Sequence, residues 1–178
     1  AGDKYVIVNH PCYQAPAERH VYRKIINEFH SMVYQYFENT GNTKKETHLK
    51  LIRQISLLIK ATSIPHSFTE YEGGTANKST AIFGELAANP GRVAIGCITV
   101  EAMEYYVGQV QHRFPMRPVF IINGDVSFKK RESIINAFQS SHSGILICTQ
   151  QSLKSSVNIP KCQMVFIESL QWNISTIL

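Results

Sequence analysis

The sequence predicts an α/β fold: a parallel sheet with helices on both faces, preceded by a helical hairpin. Two observations carry this. Over the last 90 residues short apolar runs alternate with helical patterns, the signature of strand–helix–strand units. Before them, residues 14–62 hold only helical spacing and no strand-like run.

The elements follow in order. Tyr5 to Val8 is a short β-prone run, ended by Asn9-His10-Pro11. A helix is expected over 16–37. Pro16 suits its first position, and Val21, Ile25, Phe29, Met32, Val33 and Tyr36 recur at helical spacing. Asn39 to Asn42 ends it. Thr43-Lys44-Lys45-Glu46 reads as a capping box opening a second helix, expected to run to 61. Leu49, Leu51, Ile52, Ile55, Leu58 and Ile59 form its expected apolar face. Residues 63–78, with Pro65, Gly73 and Gly74, read as a linker.

The period then changes. A helix over 79–88 leads to the turn Asn89-Pro90-Gly91. Strands are expected at 92–98, 118–122, 144–148 and 163–167. Helices are expected over 99–112 and 127–139. Ser127 caps the second of these, and Phe128, Ile134, Ile135 and Phe138 are expected to point inward. A short helix or loop covers 150–156, and a last helix begins near Asn173. The resulting organisation is an N-terminal strand and helical subdomain at 1–62, a linker at 63–78, and the sheet domain at 79–178. In such sheets ligands meet the carboxyl ends of the strands, which selects the loops at 123–128, 149–158 and 168–173.

Composition narrows the function. The chain has 178 residues, 44% of them apolar, enough for a packed core. No apolar run approaches the roughly 18 residues of a membrane helix, so no membrane partner is expected. Residues 1–107 hold 11 Lys/Arg against 10 Asp/Glu, whereas residues 108–178 hold 7 against 3. The basic excess sits in the C-terminal part, as a phosphate-bearing partner would favour. Cys12, Cys97, Cys148 and Cys162 form no zinc-type spacing; Cys97 and Cys148 lie in apolar runs, as in a reducing, cytoplasmic or nuclear compartment. No metal site is expected. No Walker A pattern is present, for Gly73 to Ser79 has the wrong spacing. Asp125 and Glu168 sit at strand ends without a sequence-evident partner. No nucleophile, catalytic residue or cofactor fingerprint is recognisable, which argues against a small-molecule enzyme.

Three blocks in order are informative. The first is Asn123-Gly124-Asp125-Val126-Ser127 with Arg131 and Phe138. The second is Thr149 to Ser152, then Ser156-Val157-Asn158-Ile159. The third is Glu168, then Trp172-Asn173-Ile174. Together they resemble the second RecA-like lobe of Swi/Snf-type ATPases in helicase superfamily two. Leu49 to Ile55 is similar to the Leu-Arg-Gln-Ile helix that precedes that lobe, and Lys78 stands where the family has Ser/Gly-Lys. The chain departs at Leu153-Lys154, where the family has Gly-Gly, at Ser156 for a later Gly, and at Ile174 for a Pro.

The resemblance implies a second-lobe fragment of a DNA-dependent ATPase, helicase or translocase, with ATP and Mg²⁺ used by the intact parent and neither cofactor bound by the fragment alone. The missing first lobe and DNA, through its phosphate backbone, are the implied partners. The arginine-finger block is expected beyond Leu178, and the start at Ala1 fits a piece of a longer protein. Gly124, Lys129, Lys130, Arg131, Thr149, Gln150 and Lys154 are the implied nucleic-acid contacts, and Ser156 and Asn158 the nucleotide-proximal pair. Trp172 is a further candidate, for stacking on a base, and several of these residues also have a plain reading. Gly124 is a turn glycine with positive φ, Arg131 a partner of a local acid, Thr149 a helix N-cap, and Trp172 a packing residue. The alternative function is a non-catalytic α/β module that binds nucleic acid or protein without an ATP cycle.

Overall fold

The computed structural model describes residues 11–154, 162 and 164–168. The expected run at Tyr5 to Val8, the helix near Asn173, and Ser156, Asn158 and Trp172 lie outside them.

Two 23-residue helices, α1 (Pro16–Glu38) and α2 (Gly41–Ser63), form the hairpin. Pro16 opens α1 as expected. Gly41 carries the reversal at φ +62°, a left-handed backbone that only glycine adopts without strain. The capping box at Thr43 is not made. α2 starts at Gly41, so Thr43 already lies inside the first turn, and its carbonyl accepts a hydrogen bond from Thr47 Oγ1 at 2.9 Å. Val21 and Ile25 of α1 meet Ala61 of α2, with Leu57, Leu58, Phe68 and Tyr71 packed around them. Gln54, 3% exposed, locks the pair by donating to the Ile25 carbonyl and to Glu28 Oε2, both at 3.0 Å. Leu49 was expected on the apolar face but is 67% exposed. It stands two residues before fully buried Leu51, a rotation of about 200° that puts it on the opposite side of a 3.6-residue helix.

Residues 63–78 are held against the hairpin rather than looped away from it. A single 3-10 turn (Pro65–Ser67) follows α2, and Phe68 and Tyr71 join the hairpin core. Buried Glu18 of α1 accepts the amide of Asn77 at 2.7 Å, which is the first residue of α3 (Asn77–Ala88).

The sheet has four strands, β1 (Val93–Cys97), β2 (Val119–Ile122), β3 (Ile145–Thr149) and β4 (Met164–Ile167), in the order β2-β3-β1-β4 with every neighbouring pair parallel. α4 (Val100–Arg113) joins β1 to β2, and α5 (Phe128–Ser140) joins β2 to β3. The expected parallel sheet with helices on both faces is therefore observed. Central β1 and β3 are buried along their whole length. Their alternate side chains serve two cores. Val93, Ile95, Cys97, Ile145 and Ile147 meet α3 and α4 through Ile82, Phe83, Leu86, Met103, Tyr106 and Val110. Ala94, Leu146 and Cys148 meet α5 through Phe138, with Ile134 and Ile135 half-buried beside it.

Phe128 breaks the expected pattern of α5, for it is 71% exposed. It stands at the first helical position, about 80° around from Phe138 and about 120° from Ile134 at 100° per residue, off the buried face.

Arginine side chains fasten the amino edge of the sheet, and Arg92 Nη1 donates to the Ser141 carbonyl at 3.0 Å. Arg117 donates from Nε to the Ser143 carbonyl at 2.8 Å, from Nη1 to Leu86 at 2.8 Å and from Nη2 to Gly91 at 2.6 Å. Those carbonyls belong to the chain just before β3, to α3, and to the turn before β1.

Candidate nucleic-acid interface

The strand order decides which loops meet. β2 and β3 are hydrogen-bonded neighbours, with Ile122 opposite Cys148, so the loops at their carboxyl ends lie side by side. These are two of the loops selected from the sequence.

After β2 the chain turns sharply. Asn123 Oδ1 accepts the amide of Asp125 at 3.1 Å, and the Asn123 carbonyl accepts the amide of Val126 at 3.3 Å. This side-chain-closed turn brings Ser127 to the start of α5, where its hydroxyl accepts the amide of Lys130 at 3.3 Å. Gly124 is exposed, and a Cβ there would meet nothing within 4 Å. Its φ is not positive, contrary to the turn geometry expected for it. Lys129 and Lys130 point into solvent, as does Phe128. Arg131 is half-buried, and its Nε donates to the Val126 carbonyl at 3.0 Å. This bond ties the side chain to the turn's own backbone.

After β3, Thr149 is 8% exposed and its Oγ1 is hydrogen-bonded to Ser152 Oγ at 2.7 Å. The same oxygen accepts the amide of Ser152 at 3.4 Å. Thr149 therefore caps the short helix α6 (Gln150–Lys154). Gln150 is 7% exposed. The side chain of Lys154 lies outside those described.

At the ends of β1 and β4 a buried polar group forms. Glu168, 3% exposed, is anchored by its amide on the Gly96 carbonyl at 3.0 Å. Lys78 Nζ, from the first turn of α3, lies 3.9 Å from Glu168 Oε1 and donates to the Thr62 carbonyl at 2.9 Å. Beside them Ser79 Oγ and Tyr106 Oη share a hydrogen bond of 3.0 Å. Burial, with the Glu168 carboxylate close by, pushes the Tyr106 hydroxyl and the Cys97 thiol well above their ordinary pKa. Burial pushes the Cys148 thiol up to about 12. Both thiols therefore stay protonated and unreactive at neutral pH. Among the described residues no three His, Cys, Asp or Glu side chains converge to hold a metal ion. No helix among them is long and apolar enough to cross a membrane.

Residues 77–178 match the family model described as the helicase conserved C-terminal domain. The chain belongs to this helicase C-terminal domain family. Solved structures agree on the fold. The C-terminal domain of the Sulfolobus solfataricus SWI2/SNF2 ATPase superposes with a TM-score of 0.69 at 18% identity, covering 91% of this chain and 71% of that one. The C-terminal part of the Fun30 ATPase domain gives 0.68 at 12% identity, covering 93% and 75%. The S. solfataricus SWI2/SNF2 ATPase core in complex with dsDNA gives 0.57 at 18% identity, covering 77% of this chain and 30% of that one. No curated protein sequence matches the chain. The fold is thus the RecA-like fold of a SWI2/SNF2 ATPase C-terminal domain, as the resemblance implied.

Within this helicase C-terminal domain the structure brings Gly124, Lys129, Lys130, Arg131, Thr149 and Gln150 to one edge of the sheet. Sequence reasoning did not find the pairing of Lys78 with Glu168. Each stands out singly in the sequence, but 90 positions separate them and no local pattern joins them. It also did not find Arg117, whose three acceptors are backbone carbonyls and leave no trace in composition.

Proposed function

We propose that this chain is the second RecA-like lobe of a Swi/Snf-type, DNA-dependent ATPase that moves on DNA. In the parent, ATP would be held in a cleft between this lobe and a first lobe. Opening and closing of that cleft would then shift the two lobes along a DNA backbone. The adjacency of the loops after β2 and β3, in a chain of this family, carries the reading. It gathers exposed Lys129 and Lys130, the open backbone at Gly124 and the capped Thr149–Gln150 turn on one edge. Exposed Lys side chains and open backbone amides suit phosphates, which fix position without reading sequence. Lys154, standing where the family has glycine, adds a further cation to the same loop. The solved SWI2/SNF2 core bound to dsDNA supports DNA as the ligand class.

ATP and Mg²⁺ belong to the parent's cycle. The residues of this chain set closest to the nucleotide, Ser156 and Asn158, lie outside those described. The phosphate loop and the metal carboxylates are assigned to the first lobe. A reducing compartment, cytoplasmic or nuclear, goes with this reading. Organisation as a helical subdomain at 1–62, a connecting segment at 63–78 and the lobe from 79 onward is proposed with it.

ATP turnover by the purified chain, with and without duplex DNA, tests the division of labour. The reading expects no DNA-stimulated turnover. Turnover at the rates of roughly 1 s⁻¹ or more usual for enzymes would overturn it.

A further inference from the structure

The outward face of α2 is a second cationic surface, and nothing in the strand-end loops accounts for it. α2 holds five Lys/Arg (Lys44, Lys45, Lys50, Arg53 and Lys60) and a single acid, Glu46. Two of the cations are used within the fold. Lys60 pairs with Glu101 at 3.3 Å, and Lys44 lies 4.8 Å from the centre of the Tyr36 ring. The other three are different. Lys45, Lys50 and Arg53 are exposed and make no ion pair among the described residues.

Geometry puts Lys45 and Arg53 together. Lys45, Leu49 and Arg53 follow one another every fourth residue, so they fall on one stripe of the helix. The stripe lies opposite fully buried Leu51, directly away from α1. At 1.5 Å rise per residue Lys45 and Arg53 stand about 12 Å apart, the scale of a DNA major groove. Lys50 lies about 60° around the helix from Arg53, on the side away from Lys45. Leu49, 67% exposed, sits midway. The helix presenting this face is rigidly seated, since Gln54 ties it to α1 through two hydrogen bonds of 3.0 Å.

We infer that the outward face of α2 is a phosphate-backbone contact for DNA, separate from the strand-end loops. The three cations meet phosphates, and Leu49 lies against the apolar face of the sugars between them. Glu46, on the same face, opposes the contact. The inference takes DNA as ligand from the proposed function but does not depend on which residues of the sheet edge touch it.

The experiment is DNA binding by the whole chain, measured by fluorescence anisotropy on a labelled duplex over a salt series. Each lost phosphate contact lowers the slope of log affinity against log salt by about 0.9. Lys45→Gln/Arg53→Gln should lower it by about 1.8, and Glu46→Gln should tighten binding two- to threefold. Arg19→Gln/Arg23→Gln removes the same charge from exposed positions of α1 and should leave the slope within about 0.5 of the parent chain. On the unaltered chain, bound duplex should protect Lys45 and Lys50 from acetylation, read by mass spectrometry. Lysine protection does not depend on any variant folding. An equal loss in the α1 control overturns the inference. So does an unchanged slope in the α2 pair, the absence of measurable DNA binding, or polyglutamate bound as tightly with the same variant dependence. Lys129→Ala/Lys130→Ala separates the two readings. Loss there alone removes the α2 contact and keeps the sheet edge; loss in the α2 pair alone does the reverse.

Discussion

Replacing Arg117 is a searching test of how the sheet is held. The guanidinium makes three hydrogen bonds of 2.6 to 2.8 Å to the carbonyls of Ser143, Leu86 and Gly91. Burial lowers its pKa somewhat but leaves it charged. A hydrogen bond to a charged group contributes about 1.5–3 kcal/mol, and three from one group do not add fully. Partial exposure reduces the figure further, so Arg117→Ala should cost about 3 kcal/mol. In a domain of this size that shifts Tm by roughly 6–12 °C. Arg117→Lys keeps the charge but replaces a planar fork by a point donor that cannot reach three carbonyls at once. It should recover less than half of the loss. Urea denaturation followed by circular dichroism measures both variants. A loss under about 0.5 kcal/mol for Arg117→Ala, or full recovery by lysine, would refute a clamp built on fork geometry.

Other outcomes follow from the same structure. Tyr106→Phe removes the hydroxyl that meets Ser79 Oγ at 3.0 Å in a buried site, so it should cost about 1–2 kcal/mol by urea denaturation, and Ser79→Ala/Tyr106→Phe together should cost less than the sum of the single changes. At pH 8 a thiol-directed alkylating reagent should label exposed Cys12 quickly. Cys97 and Cys148, whose pKa values are raised by burial, should react only on unfolding, as peptide mass spectrometry would show. Gly144→Ala would drive a Cβ into Ser141 Oγ and to 2.9 Å from Phe120 Cε2, so it should destabilise the chain by about 1–3 kcal/mol; an unchanged urea midpoint would contradict that packing.

What the sequence revealed follows from the range of each signal. Strands β1 and β3 were legible because both are buried on two faces and so read as unbroken apolar runs. The start of α5 was legible because Ser127 is a side-chain cap, a local device. Phe128 and Leu49 were misplaced for the opposite reason. An apolar residue near a helical stripe is drawn into it by periodicity, although only packing decides whether it faces the core. The capping box at Thr43 failed because Gly41 permits an earlier helix start that a pattern search does not weigh. The strand order was not legible, and with it the adjacency of the loops after β2 and β3. Nor was the burial of Glu168 against Lys78, since the pair is assembled only once β4 lies beside β1.

A grip on the DNA backbone by the edge formed by the loops after β2 and β3 underlies the proposed function. The salt dependence of duplex binding by the chain and by Lys129→Ala/Lys130→Ala/Lys154→Ala tests this most directly. The slope of log affinity against log salt should be lower by about 2–3 in the variant, with the same loss on duplexes of unrelated sequence. Affinity and slope equal to those of the unaltered chain would contradict it.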